Sequence, residues 1–202
     1  MIHLTDAAGL LGNAVALAAL ASKAPGVARL VPGARRAITA IVLLGSLVPL
    51  GALPLAAYLR GAIGDLSLTS LLLLVLYLAR FTRGGASAAR PDPETGALLG
   101  LVAATAVVFY PMALGWGDFD PYRLGYGSYG FLACLLALAL WGALRSPLVA
   151  AAISLAVAGW SAGWYESANL WDYLMDPLLA AYALGALAWR GLRRLRGRRP
   201  LQ

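Results

Sequence analysis

Leu71-Leu-Leu-Leu-Val-Leu-Tyr-Leu78 and Leu132-Ala-Cys-Leu-Leu-Ala-Leu-Ala-Leu140 decide the fold, because neither has more than a trace of a polar face at any angle around a helix. A helix of a water-soluble bundle keeps polar residues on the side turned away from its core. These two cannot, so their outer sides must meet lipid. The same character runs through the whole chain. Of 202 residues, 61% are hydrophobic and 12% charged, with a mean hydropathy of +0.76. A soluble domain is nearer a quarter charged.

Composition removes several function classes. A single cysteine, Cys134, cannot form a disulfide within the chain. The one histidine, His3, leaves no basis for histidine-ligated haem, a zinc enzyme or a histidine-based triad. A net charge of +7 invites a nucleic-acid reading, yet no basic stretch alternates with aromatic stacking residues. Six of the sixteen cations instead crowd residues 190–199, at Arg190, Arg193, Arg194, Arg196, Arg198 and Arg199. That pattern fits a basic tail, 190–202, lying against anionic lipid headgroups. Arginine-for-lysine bias and the wealth of alanine and leucine suggest a bacterial source.

Crossing a hydrocarbon core of about 30 Å takes about 20 apolar helical residues. That window finds seven runs, at 4–22, 37–59, 63–81, 95–114, 128–144, 147–165 and 170–189. Cations beside short loops mark the cytoplasmic side. With the C-terminus inside, every Lys and Arg falls inside except Arg60 and Arg123. Seven of the nine carboxylates, Asp6, Asp65, Asp118, Asp120, Glu166, Asp172 and Asp176, then fall outside, leaving Asp92 and Glu94 within. The expectation is an all-α integral membrane protein of the bacterial inner membrane. It forms a single domain of about seven transmembrane helices, with the N-terminus out and the C-terminus in. Ala19-Leu20-Ala21 resembles a signal-peptidase site, and cleavage there would leave six spans. The lack of Lys or Arg before the first run argues for an N-out helix instead.

Breaks in the pattern are few. Pro49 and Pro54 should kink the second run, as packing or as a hinge or cavity lining, and Pro111 should end the fourth. Gly96/Gly100 and Gly159/Gly163 have the spacing that lets helices approach closely. The inner loops 23–36 and 82–94 read as connectors.

Three outer segments carry the polar chemistry. In 60–69, Asp65 is placed to cap the third helix. In 116–129, Asp118, Asp120 and Arg123 lie among aromatics, as in an interfacial turn or a site for a polar headgroup, a sugar or a cation. In 166–177, Glu166, Asn169, Asp172, Tyr173 and Asp176 would share an arc of about 120° on a helix. Ala168, Leu170, Trp171, Leu174 and Met175 would lie opposite. Either this segment is an interfacial helix with Pro177 opening the span, or it is the outer part of the seventh span with its acidic stripe turned inward. The inward stripe leaves more residues to cross the bilayer. Arg60 and Arg123 are the candidate counter-ions, and structural ion pairing alone could satisfy the carboxylates.

Three functions follow from this pattern. The acidic, aromatic pocket could bind or transport a hard cation or polar solute, since oxygen-only ligands suit Mg²⁺ or Ca²⁺. The chain could instead be a non-catalytic accessory subunit that steadies a membrane protein partner. Last, Asp120, Glu166, Asp172 and Asp176 could supply an acid–base pair acting on a lipid-linked substrate. No motif calls for a cofactor.

Overall fold

The computed structural model describes residues 4–49, 51–84 and 92–196. His3, Arg90, Arg198 and Arg199 lie outside the described residues, as does the tail beyond residue 196. Among the described residues the chain is all-helical, with nine α-helices, two 3-10 turns and one isolated bridge between Pro49 and Pro54. One helix, Pro93–Ala113, is long and apolar enough to cross a membrane. Thr5–Ala21, Leu68–Thr82, Tyr129–Arg145 and Pro147–Ser161 are apolar but shorter.

α1 spans Leu4–Ala21. The second apolar run is not one kinked helix; it is divided into α2, Pro32–Gly45, and α3, Leu55–Ile63. Two prolines that lack N–H groups, together with Gly51 at φ +89°, turn the chain between them. The break is closed by the Ala56 N–H, which donates to the Ser46 carbonyl at 3.0 Å. α2 also begins earlier than the apolar run, because Pro32 suits a first helical position.

α4, Leu68–Thr82, begins five residues later than the third run suggested, and its cap is Ser67, not Asp65. Ser67 Oγ accepts the Ser70 N–H at 3.2 Å. Gly64 at φ +78° ends α3, and Asp65 is drawn back to Arg60. α5, Pro93–Ala113, is capped by Asp92, whose Oδ1 accepts the Thr95 N–H at 2.7 Å. Pro111 does not end it. The helix runs on to Ala113 and closes at Gly115, φ +97°, where the Trp116 N–H reaches the Pro111 carbonyl at 2.9 Å.

α6, Tyr129–Arg145, and α7, Pro147–Ser161, are joined through Ser146 alone. A side chain at Gly142 would stand 3.0 Å from the Ala150 nitrogen, so the two helices meet almost backbone to backbone. Gly159 likewise admits Leu68 of α4, which a Cβ there would meet at 2.2 Å, whereas its partner Gly163 sits in the turn after α7 at φ +63°. The main core gathers buried Leu99, Val102, Ala106, Val149, Ala156 and Ala183, from α5, α7 and the last helix. A smaller cluster joins α1 to α4 through Ala18, Ala19 and Leu78.

The acidic stripe is the largest departure. Residues 166–177 are not a continuous helix: α8 is one turn, Trp171–Leu174, Met175 is extended, and α9, Pro177–Arg196, starts at the proline. The proline ring cannot follow a helical residue comfortably, and the loop's hydrogen bonds go to other segments. The helical arc fails with it, because Leu170 and Met175, assigned to the opposite side, are buried beside Asn169 and Asp176.

Candidate functional site

One end of the bundle is where α1, α4, α6 and α9 begin and α3, α5 and α7 finish. Its cap consists of the 114–128 loop, which contains a 3-10 turn at Pro121–Gly125, and the 162–176 loop. Gly125 makes their union possible. A Cβ at that position would lie 1.8 Å from Asn169 Oδ1, so the glycine backbone can be crossed by the asparagine. Asn169, fully buried, donates through Nδ2 to the Tyr122 carbonyl at 2.9 Å and accepts the Trp171 N–H at 2.9 Å. The Leu170 N–H reaches the Gly125 carbonyl at 2.9 Å, and Trp171 Nε1 donates to the Pro121 carbonyl at 3.0 Å. The Trp171 ring lies between Phe109 and Phe131, with centroids 4.4 and 4.6 Å away.

Each inward carboxylate has partners of its own. Asp172 accepts the Tyr122 hydroxyl at 3.0 Å and the Ser167 hydroxyl at 2.5 Å. The Tyr122 phenol is pushed above its ordinary value of 10.0, first by burial and then by the Asp172 charge. Asp176 is buried and faces two helix beginnings at once. Its Oδ2 accepts the Ser67 N–H at 3.0 Å, the Ser67 hydroxyl at 2.7 Å and the Ser70 hydroxyl, while Oδ1 accepts the Leu179 N–H of α9 at 2.8 Å. The unsatisfied N–H groups and the positive dipole end of both helices compensate the carboxylate. Tyr173, fully buried, accepts the Tyr165 N–H at 3.0 Å and donates to the Ser167 carbonyl at 3.0 Å.

A second cluster centres on Arg60 at the end of α3. Its guanidinium donates to both oxygens of Asp65, at 2.7 and 3.0 Å, and to Asp6 of α1 at 2.9 Å. Glu166, largely exposed, stands 3.7 Å away. Gly9 of α1 provides the space, since a Cβ there would meet Asp65 Oδ1 at 2.2 Å. Asn13, one turn on, ties α1 to the α3–α4 turn by donating to the Gly64 carbonyl at 3.2 Å.

The structure thus brings together Arg60, Asp65 and Glu166 in one cluster and Asn169, Asp172, Tyr173 and Asp176 in the adjoining loop. Asp120 stays local as the cap of the 3-10 turn, accepting the Tyr122 N–H at 2.9 Å. Asp118 and Arg123 point outward on the surface. The expected counter-ion role therefore falls to Arg60, and among the described residues Arg123 makes no ion pair. Sequence reasoning missed Ser67, Ser70, Ser167 and Tyr122 as carboxylate partners. Only Ser67 carried a signal, as a cap-forming residue directly before an apolar run. Among the described residues no group of three or more His, Cys, Asp or Glu is placed to hold a metal ion. Comparison with protein-family models, curated proteins and solved structures found no match, so the site is read from its own geometry.

Proposed function

We propose that this chain is a seven-span protein of the bacterial inner membrane, N-terminus out and C-terminus in, acting as a non-catalytic accessory subunit of a larger membrane complex. The spans are α1, the broken pair α2–α3, α4, α5, α6, α7 and α9. Their lipid-facing surface is supported by exposed Ile41, Val107, Val108, Leu136, Leu140 and Leu155, which water would not tolerate as a set. Exposed Trp116, Phe119, Tyr126 and Tyr129 at the capped end suit the outer headgroup boundary.

The observation that carries the accessory role is the closure of the cap on itself. Asp65, Asp172 and Asp176 spend their oxygens on Arg60, Tyr122, Ser167, Ser67, Ser70 and backbone N–H groups. Such an arrangement favours a rigid end-piece for the bundle. Of the four acid–base candidates Asp120, Glu166, Asp172 and Asp176, the two in this loop, Asp172 and Asp176, would have to break these same bonds.

One feature favours the other reading, binding or transport of a hard cation. Asp176 joins two serine hydroxyls, an oxygen-only set. Purification from native membranes in mild detergent separates the two, combined with thermal unfolding of wild type and Asp176→Asn in Mg²⁺ and Ca²⁺. The accessory role predicts a stoichiometric partner, loss of folded Asp176→Asn protein and no cation-dependent shift in the wild type. A shift that Asp176→Asn abolishes while remaining folded would replace it with cation binding.

A further inference from the structure

The end of the bundle opposite the cap carries a second arrangement that the accessory role does not use. Arg35, at the start of α2, directs its guanidinium at three backbone carbonyls: Ala28 at 2.5 Å, Leu30 at 2.9 Å and Phe81 at 3.2 Å. It also lies over the Phe81 ring, 5.3 Å from the centroid. The 27–30 turn, the first turn of α2 and the last turn of α4 are therefore bound into one corner. Pro32 Cγ lies 2.9 Å from where a Cβ of Gly84 would be, which places the end of α4 against the same turn. The same corner carries Arg29 in the 27–30 turn, Arg36 next to Arg35 on α2 and Arg83 directly after α4, all three exposed. Among the described residues none of the three has an ion pair or a side-chain hydrogen bond. The nearby acid, Asp92, is already engaged by Arg80 and the Thr95 N–H. Lys23, 4.4 Å above the Tyr77 ring, adds a fourth cation at the corner's edge.

We infer that this corner is a binding site for the phosphate of an anionic phospholipid in the inner leaflet, separate from the basic end of α9. Guanidinium forks match phosphate oxygens in pairs. Because Arg35 is held by the backbone, its three neighbours project from a fixed base. The inference rests on the seven-span reading, which puts this corner at the cytoplasmic headgroups.

The test is thermal unfolding of the detergent-purified full chain, titrated with phosphatidylglycerol, with phosphatidylcholine and with inorganic phosphate. Phosphatidylglycerol should raise the Tm of wild type and of Arg193→Ala/Arg196→Ala. The Arg29→Ala/Arg36→Ala/Arg83→Ala variant should lose more than half of that rise. Arg36→Glu alone, which changes one exposed residue, provides a second variant should the triple fail to fold, and it should also blunt the response. A full phosphatidylglycerol shift in these variants overturns the site, as does an equal shift with free phosphate or phosphatidylcholine. Recovery of the chain from cells without detergent would instead overturn the membrane reading beneath it.

Discussion

At the capped end, Asp172 and Asp176 are closed by short hydroxyls, a phenol and backbone N–H groups, most of them buried. At the opposite rim most charges are long cationic side chains, and Arg35, the one held by the main chain, is bound by three backbone carbonyls. The difference teaches how polarity survives at each surface. Short partners fix each other's positions to within a hydrogen-bond length, so the cap tolerates little change. Long arginine and lysine chains reach water whatever the exact backbone, so the rim should tolerate much.

The contrast is broken most directly at its glycines. Gly125→Ala places a methyl group on Asn169 and should cost about 3 kcal/mol or more, seen as loss of folded protein in size-exclusion and thermal assays. Gly26→Ala at the rim meets open space, so only the strain of its φ of +86° remains, about 1 kcal/mol. If the two lose equal stability, the cap is no tighter than the rim.

Arg60→Ala leaves Asp6 and Asp65 without their shared counter-ion and should cost about 2–3 kcal/mol by chemical denaturation. Adding Asp65→Asn should recover part of the loss, because the uncompensated carboxylate is then neutralised as well. Tyr122→Phe should cost about 1 kcal/mol for its hydrogen bond to Asp172. Because the folded phenol titrates above 10.0, its contribution is intact below that pH and fades as the pH climbs through the higher folded value. Wild type should therefore lose stability in strong alkali more steeply than Tyr122→Phe.

An equally small effect belongs to the rim. Asp92→Ala removes the α5 cap and its pair with Arg80, for about 1 kcal/mol. The Thr95 N–H foremost, with Arg80, holds the Asp92 carboxyl below its ordinary 3.8 against the opposing effect of burial. Its contribution is present above that value and is lost as the pH falls through the lower folded one. Acid unfolding of Asp92→Ala should accordingly be shallower than that of wild type.

The helical character was legible because apolar runs of this length have few other ways to satisfy their backbone. The candidate carboxylates were legible as a set, since they cluster in loops flanked by aromatics. Their geometry was not. Residues 166–176 have helical spacing, yet Asn169 and Tyr173 bond to Tyr122, Tyr165 and Ser167, contacts that no local period encodes. Pro49 and Pro54 announced a disturbance, but whether a proline pair kinks or breaks a helix depends on what Ser46 and Ala56 find nearby. Asp65 was misread for a related reason. Its preference for a helix start was weaker than an arginine five residues earlier, already positioned by α3.

Trp171 gives the cap an optical signature. It is packed between two phenylalanine rings with its indole N–H bonded to Pro121, while Trp116, Trp141, Trp164 and Trp189 are exposed. A chain keeping this indole as its only fluorophore would report, through the colour of its emission, each moment at which the two loops part.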